Sequence, residues 1–234
     1  MLSGKSVLIT GAGSGIGRAL TLALAQEEAS LHLVGRNEAA LAELARRARS
    51  WGAEARTYTL ELTDDGAVRA FAGAFSVPLD ILVHSAGMVA LGTVKDADID
   101  DFDAQYRLNV RAPYLLTQLF LGRLEQVKGQ VVFLNSGAGL TARANWSAYA
   151  ASKHALKAVA DSLRDELRGT GVRVLSVYPG RTASPMQASV HKQEGKPYDP
   201  AKFVQPEDVA ATIVSALSLP PTAEVTDVSV RPPG

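Results

Sequence analysis

A tyrosine and a lysine stand four positions apart at the start of a helical pattern, as Tyr149 and Lys153. Residues at i and i+4 share one face of a helix, so the two side chains are expected to lie together. A phenol, whose ordinary pKa is about 10, is a poor acid–base catalyst at neutral pH unless a neighbouring cation stabilises the phenolate. The pair is therefore typical of a proton donor supported by a cation.

A serine, Ser136, follows the fifth predicted strand and should reach the same edge of the sheet. A substrate carbonyl could then accept hydrogen bonds from both the Ser136 and Tyr149 hydroxyls while a hydride arrives from a nicotinamide. A Tyr-x-x-x-Lys pattern taken alone is more often an exposed aromatic beside a solvated lysine. The serine and the glycine-rich turn described next make a reduction site the better interpretation.

A glycine-rich turn, Thr10–Gly17, joins the first predicted strand to the first predicted helix. Glycines permit positive φ and close backbone approach to a pyrophosphate, and the N–H groups at the helix start carry partial positive charge. An ordinary tight turn is the alternative, but the position favours dinucleotide binding. The residues of this turn predicted to bind the cofactor are Gly11, Gly13, Ser14, Gly15, Ile16 and Gly17.

The end of the second predicted strand, Val34-Gly35-Arg36-Asn37, indicates which cofactor to expect. In dinucleotide folds an acidic residue at this point binds the ribose 2′-hydroxyl, whereas a nearby arginine accommodates a 2′-phosphate. No carboxylate stands here, and the forked guanidinium of Arg36 suits a phosphate, although a solvated residue at a helix start is the alternative for Arg36. NADP(H) is expected rather than NAD(H).

Short apolar runs alternate with segments of helical periodicity along the whole chain. The predicted strands are 6–10, 31–34, 55–60, 81–84, 130–135, 172–177 and 225–230. The predicted helices are 15–28, 38–51, 64–75, 98–124, 147–168 and 206–217. This order predicts an α/β fold of Rossmann type, a doubly wound parallel sheet of seven strands flanked by helices.

The segment 181–204 is the one long stretch without clear periodicity, and it is rich in Ser, Gln, Lys, Pro and Gly. A segment of that length in a compact domain is usually functional, so a substrate lid is expected there. The whole chain, 1–234, is expected to form a single NAD(P)-binding domain.

Composition narrows the function classes. The 234 residues are 47% hydrophobic and 21% charged, with zero formal net charge. This composition gives no indication of a basic surface that would bind nucleic acid or membrane lipid. There is no cysteine, and the four histidines lack metal-ligand spacing, so redox chemistry must use a bound organic cofactor and no metal is expected. Without a signal peptide or a long apolar run, the expected location is cytoplasmic.

These motifs together resemble those of the short-chain dehydrogenases/reductases. The Thr-Gly-x-x-x-Gly-x-Gly, Asn, Ser and Tyr-x-x-x-Lys motifs of that family occur here in order, with His84-Ser85-Ala86-Gly87 at the place of its Asn-Asn-Ala-Gly, from about Lys5 to Val230. The resemblance implies a catalytic tetrad of Asn109, Ser136, Tyr149 and Lys153. It implies further that Asn109 holds a water linking Lys153 to solvent and that Lys153 binds the nicotinamide ribose.

The resemblance also implies further contacts to the cofactor. Pro179, Gly180 and Thr182 would flank the nicotinamide, with Thr182 near its carboxamide. The remaining positions that it assigns to cofactor binding are Glu61, Leu62, Ser85, Ala86 and Gly87.

Three positions depart from the family pattern. His84 and Ser85 replace the two Asn residues of Asn-Asn-Ala-Gly; the first Asn steadies the central strand, and for His84 a structural role is favoured over a catalytic one. Glu61 stands where the usual residue is Asp.

The predicted function is hydride exchange between NADP(H) and a carbonyl or secondary alcohol, so the expected partner is a small molecule. Two alternatives remain: an NAD-dependent alcohol dehydrogenase, and a non-catalytic NADP(H)-binding sensor on the same fold. The resemblance to this family also implies that the chain forms a homodimer or homotetramer. The substrate itself is not encoded in any local pattern.

Overall fold

A computed structural model describes residues 2–233 of the chain. In this part of the chain, seven parallel strands form one sheet in the order β3-β2-β1-β4-β5-β6-β7. The strands are β1 (Ser6–Thr10), β2 (Ser30–Gly35), β3 (Ala55–Thr59), β4 (Ile81–His84), β5 (Gln130–Leu134), β6 (Arg173–Pro179) and β7 (Asp227–Val230). The predicted seven-stranded doubly wound sheet is confirmed.

The central strands are buried on both faces because helices cover both sides of the sheet. β1 and β4 are buried along their whole length, as expected for continuous apolar runs in a parallel sheet. The flanking helices are α1 (Gly15–Gln26), α2 (Glu38–Ser50), α3 (Asp65–Ala74), α4 (Ile99–Tyr106), α5 (Ala112–Val127), α6 (Ser147–Glu166), α7 (Pro185–Gln193) and α8 (Pro206–Leu217). One apolar core includes residues of α1, α2 and α8, and the other includes residues of α3, α5 and α6.

The helix predicted over 98–124 is present as a continuous helical run over 99–127, but a π-helical turn, Arg107–Arg111, divides it into α4 and α5. Pro113 explains the interruption. A proline has no N–H to donate to the carbonyl four residues earlier, here that of Asn109, and its ring crowds that carbonyl. The proline in the sequence is the signal that would have located the turn.

The segment 181–204 is also more regular than predicted, because it contains α7. Ser184 caps this helix by accepting a hydrogen bond from the Gln187 N–H. Its buried side chains, Gln187, Val190 and His191, have helical spacing, but two of the three are polar. An apolar periodicity therefore does not reveal the helix.

Within residues 2–233, no helix has the length and apolar character needed to cross a bilayer.

Candidate active site

A cleft of about 880 Å³ opens at the carboxyl ends of the strands. Every predicted site residue lines this cleft except Gly17 and Asn109, which are buried outside its lining. Ligands of doubly wound sheets bind at this edge, where the strand order reverses beside β1. The structure therefore gathers the predicted residues into one place.

The glycine-rich turn packs so closely that two of its glycines have no room for a side chain. Gly11 has φ +66°, and a Cβ there would lie 2.7 Å from the Ala86 backbone. A Cβ on Gly17 would lie 2.4 Å from the carbonyl oxygen of Gly11. The turn thus lies directly against the end of β4, which a larger residue would push away.

The helix that follows the turn begins without a side-chain cap. Ser14, at the cap position of α1, makes no capping hydrogen bond within the described residues. The first N–H groups of a helix lack intrahelical acceptors, so this end suits an anion. The turn and the helix start together fit the pyrophosphate of a dinucleotide.

Thr10 connects the two central strands below this turn. Its hydroxyl donates to the Val83 carbonyl at 3.3 Å and accepts from the N–H groups of Ser85 at 3.1 Å and Ala86 at 3.3 Å. It thereby positions the segment after β4 that is predicted to contact the cofactor. Sequence reasoning placed Thr10 in the turn motif but gave it no such role.

His84, at the end of β4, points into the protein interior. Its Nε2 lies 2.8 Å from the Thr117 hydroxyl on α5, and its ring stacks on Phe133 with 4.9 Å between centroids. Burial lowers the pKa of His84 to about 3, so the ring is neutral at physiological pH. His84 joins β4 to β5 and α5, which matches the structural role favoured from the sequence.

Tyr149 lies buried at the floor of the cleft, near the start of α6. Burial raises the pKa of its phenol, and the neighbouring Ser136 hydroxyl lowers it by less. The ring of Trp146 meets the Tyr149 ring edge-on, with 5.8 Å between centroids. Ser136 and Tyr149 therefore present two hydroxyl groups at the same point of the cleft.

Lys153 lies beside Tyr149, with Nζ 5.9 Å from the centre of the Tyr149 ring. Nζ donates to the Leu134 carbonyl at 2.9 Å, and burial lowers the pKa of Lys153 to about 8. The sequence predicts that Lys153 lowers the pKa of Tyr149, but in this arrangement burial dominates and the pKa of Tyr149 is raised. The ammonium instead faces a backbone carbonyl.

Asn109 holds the segment after β4 against α6. Its amide donates to the Met88 carbonyl at 3.0 Å and its oxygen accepts from the Met88 N–H at 2.9 Å. The same amide donates to the Ser152 hydroxyl at 3.0 Å, and that hydroxyl donates to the Tyr149 carbonyl at 2.7 Å. The π turn thus connects through Ser152 to the backbone of Tyr149.

Asn135 has a positioning role that sequence reasoning missed. Its amide donates to the Lys153 carbonyl at 3.1 Å, and its oxygen accepts from the Ser136 N–H at 2.9 Å. One buried side chain therefore orients Ser136 and anchors α6. The available signal was a polar residue directly after an apolar strand, where parallel strands place functional groups.

At the adenosine end of the cleft, Arg36 faces an acid. Its guanidinium lies 3.8 Å from the Glu61 carboxylate, and both side chains are exposed. A hydrogen bond from the Thr63 N–H is the main cause that lowers the pKa of Glu61, and the charge of Arg36 contributes less. Leu62, the neighbouring residue, is buried and lines the cleft.

At the other end, Pro179 and Gly180 form the edge of the cleft after β6. The Thr182 hydroxyl donates to the Gly180 carbonyl at 3.1 Å, and Thr182 pairs with Val204 in a short parallel bridge. This bridge closes the base of the segment 181–204.

Comparisons with known proteins agree with this architecture. The family model for short chain dehydrogenases matches residues 5–195. An uncharacterized short-chain type dehydrogenase/reductase of Sinorhizobium fredii is 34% identical over 97% of this chain and 91% of its own length.

Solved structures give the same family. A metagenomic short-chain oxidoreductase in complex with NADP is 30% identical, with a TM-score of 0.84 over 99% of this chain and 98% of the other. NAD+-bound xylitol dehydrogenase is 25% identical, with a TM-score of 0.89 over 98% of both chains. This protein belongs to the short-chain dehydrogenase/reductase family and is an oxidoreductase.

Proposed function

We propose that the protein exchanges a hydride between NADP(H) and a carbonyl or secondary alcohol, with Tyr149 as the proton donor and acceptor. The observation that carries this proposal is that Ser136 and Tyr149 line one cleft together with the glycine-rich turn, with the Ser136 hydroxyl near enough to lower the pKa of Tyr149. The proposal assigns roles to four residues: Asn109, Ser136, Tyr149 and Lys153.

In the reducing direction, the Ser136 and Tyr149 hydroxyls would donate hydrogen bonds to the substrate carbonyl oxygen, and Tyr149 would pass its proton to that oxygen. When bound, the nicotinamide supplies the hydride. With a pKa of about 8, Lys153 is mostly protonated at neutral pH and can support the phenolate that forms. Asn109 would hold two parts of the site together, the segment after β4 through Met88 and α6 through Ser152.

The cofactor would lie along the line of predicted contacts. The glycine-rich turn would bind the pyrophosphate, and Leu62 would border adenine. The nicotinamide half would be bordered by the segment Ser85–Gly87 and by Pro179, Gly180 and Thr182. Arg36 would bind the 2′-phosphate of NADP(H). The NADP complex of a 30% identical relative supports this choice.

The main rival is an NAD-dependent alcohol dehydrogenase, and one observation favours it. The Glu61 carboxylate beside Arg36 places an acid at the adenosine end, where it would repel a 2′-phosphate. NAD+-bound xylitol dehydrogenase has the same fold. Cofactor choice is therefore the first property to measure.

We also infer that the chain forms one domain, since helices from its whole length pack on one sheet, and that it assembles as a homodimer or homotetramer. Exposed aromatic rings lie on α4 (Phe102 and Tyr106) and on α5 (Tyr114), and such a face is a suitable interface. The cytoplasmic location stays a prediction.

The decisive experiment is a survey of NADPH and NADH oxidation with aldehydes, ketones, ketoacyl thioesters and sugars. We expect turnover with NADPH in at least one class, and loss of that turnover in Tyr149→Phe. A protein that binds NADPH tightly but oxidises it with none of the panel would favour the non-catalytic sensor instead.

A further inference from the structure

Three arginines surround the substrate end of the cleft, each after the carboxyl end of a different strand. Arg143 follows β5, Arg181 follows β6, and Arg231 is the first residue after β7. These strands are neighbours in the sheet, and all three residues line the cleft. The Gly180 N–H donates to the Val230 carbonyl at 2.8 Å, which holds Arg231 close to Arg181.

The three guanidinium groups differ in their partners. Arg181 forms two hydrogen bonds to Glu194, so its charge is balanced. Within residues 2–233, neither Arg143 nor Arg231 has a carboxylate at ion-pair distance. Among the described residues that line the cleft, Glu61 is the only acid, and it lies at the adenosine end. The substrate end is therefore positive although the chain has zero net charge.

This positive end lies close to the proposed proton donor. The Arg181 guanidinium lies 5.7 Å from the centre of the Trp146 ring, and the Trp146 ring lies 5.8 Å from that of Tyr149. One aromatic ring thus separates Arg181 from the phenol, and Arg143 and Arg231 line the same cleft. Met186 and Val190 line the same cleft and supply apolar surface.

Guanidinium groups without acidic partners are matched to carboxylate or phosphate oxygens, which accept their paired N–H groups. We propose that the substrate is a carbonyl compound carrying a carboxylate or phosphate, and that Arg143 and Arg231 bind this anionic group while the carbonyl lies at Ser136 and Tyr149. The placement of the carbonyl rests on the proposed function; the binding of the anion does not. The pyrophosphate of the cofactor has its own site at the glycine-rich turn.

A kinetic test compares related substrates with and without an anionic group. Two pairs separate the anion types: 4-carboxybenzaldehyde with its methyl ester, and glyceraldehyde 3-phosphate with glyceraldehyde. In Arg143→Gln/Arg231→Gln, kcat/KM for the preferred anion should fall roughly tenfold or more, mainly through KM, because charge-assisted hydrogen bonds are lost. The neutral partner should change less than about twofold, and Arg46→Gln, an exposed arginine of α2 outside the cleft lining, should change neither.

A binding test works without turnover. The chain has two tryptophans, so Trp51→Phe leaves Trp146, which lines the cleft, as the single tryptophan to be excited selectively. With saturating NADP+, benzoate or phenyl phosphate should change its fluorescence at lower concentration than benzamide, and the double arginine variant should abolish the difference. Tighter binding of benzoate would identify a carboxylate as the charged group of the substrate, and tighter binding of phenyl phosphate would identify a phosphate.

The outcomes separate this inference from the proposed function. Anion binding that depends on the two arginines, in a protein that reduces no carbonyl compound, supports the inference and overturns the proposed function. Turnover with no preference for charged substrates, together with equal binding of benzoate, phenyl phosphate and benzamide, overturns the inference and leaves the reductase proposal standing.

Discussion

The guanidinium of Arg36 lies 3.8 Å from the carboxylate of Glu61, so the arginine expected to bind a 2′-phosphate already has an acidic neighbour. The two side chains are 75% and 45% exposed, and ion pairs this exposed contribute about 0–1 kcal/mol. A phosphate that offers more charge and more oxygens can therefore replace Glu61 as the partner of Arg36. The pair weakens the case for NADP(H) without reversing it.

Cofactor preference should respond to changes at both residues of the strand end. In Gly35→Asp, a Cβ would lie 3.4 Å from Leu41, so the change fits, and the new carboxylate should shift preference toward NADH. Arg36→Ala should weaken NADPH use roughly ten- to a hundredfold, since a charge-assisted hydrogen bond contributes about 1.5–3 kcal/mol. The measurement is the ratio of kcat/KM with NADPH and NADH.

Glu61→Gln serves as the matched control for that series. It frees Arg36 from its acidic neighbour, so the ratio should move further toward NADPH. A wild-type preference for NADH, or a ratio that none of these changes moves, would show that the end of β2 has been misinterpreted.

Tyr149→Phe should keep cofactor binding nearly intact while it removes the proton donor. We expect a loss of at least about a hundredfold in turnover. NADPH affinity from fluorescence titration should stay within about threefold, because the ring and its contact with Trp146 remain. Near-normal turnover in this variant would contradict the assignment.

Lys153→Met should impair turnover and cofactor affinity together, unlike Tyr149→Phe. The ammonium of Lys153 has a pKa lowered to about 8, so it is protonated below that pH and loses its charge above it. Carbonyl reduction should therefore decline as the pH rises through about 8, and the remaining activity of Lys153→Met should lack this step. A pH profile identical in both proteins would argue against the role of the lysine.

The sheet and the position of the reacting residues could be predicted because they depend on local patterns. Strands such as β1 and β4 are continuous apolar runs, and parallel strands bring residues at their carboxyl ends to one edge. The roles of Asn135 and Thr10 could not be predicted. Each depends on hydrogen bonds to residues that only the tertiary structure brings near, such as Lys153 and Ala86.

The segment 181–204 shows another limit of sequence patterns. Gln187 and His191 are buried on the inner face of α7, where their side chains form a hydrogen bond with each other. A polar residue in this segment is therefore not necessarily an exposed one. The raised pKa of Tyr149 has the same origin, since burial is a property of the folded chain and not of the Tyr-x-x-x-Lys motif.

Two buried histidines should make the folded protein sensitive to acid. Burial lowers the pKa of His84 to about 3 and that of His32 to about 4. Between those values and the unfolded pKa of about 6.5, the unfolded chain binds protons that the folded chain does not. Stability should be full above about pH 6.5 and fall on acidification, by up to about 1.4 kcal/mol per pH unit for each histidine.

Urea unfolding at several pH values measures this slope. His84→Asn removes the titrating ring and should flatten the dependence between about pH 4 and 6, whereas His154→Asn, an exposed control on α6, should leave it as in the wild type. Parallel curves for all three proteins would contradict the prediction.

The lid predicted at 181–204 should become more protected when ligands bind. Gln193 on α7 accepts a hydrogen bond from the Leu91 N–H at 2.8 Å, and Tyr198 accepts one from the Ser184 N–H at 3.1 Å. Hydrogen exchange in α7 should slow when NADPH and a substrate analogue are added together. Exchange in α3, none of whose residues lines the cleft, provides the internal reference, and equal rates in α7 with and without ligands would exclude a lid.

The strand order has a consequence for how the chain folds during synthesis. The first half of the sheet grows from β1 outward to β3, and β4 then returns to pair with β1 across more than 70 residues. After β4, each new strand pairs with the strand synthesised immediately before it, so the sheet can extend in the order in which the ribosome produces its strands. β7 joins the sheet last, and Arg231 follows it directly. Ser136, Tyr149 and Lys153 are therefore synthesised before the part of the cleft that Arg231 lines.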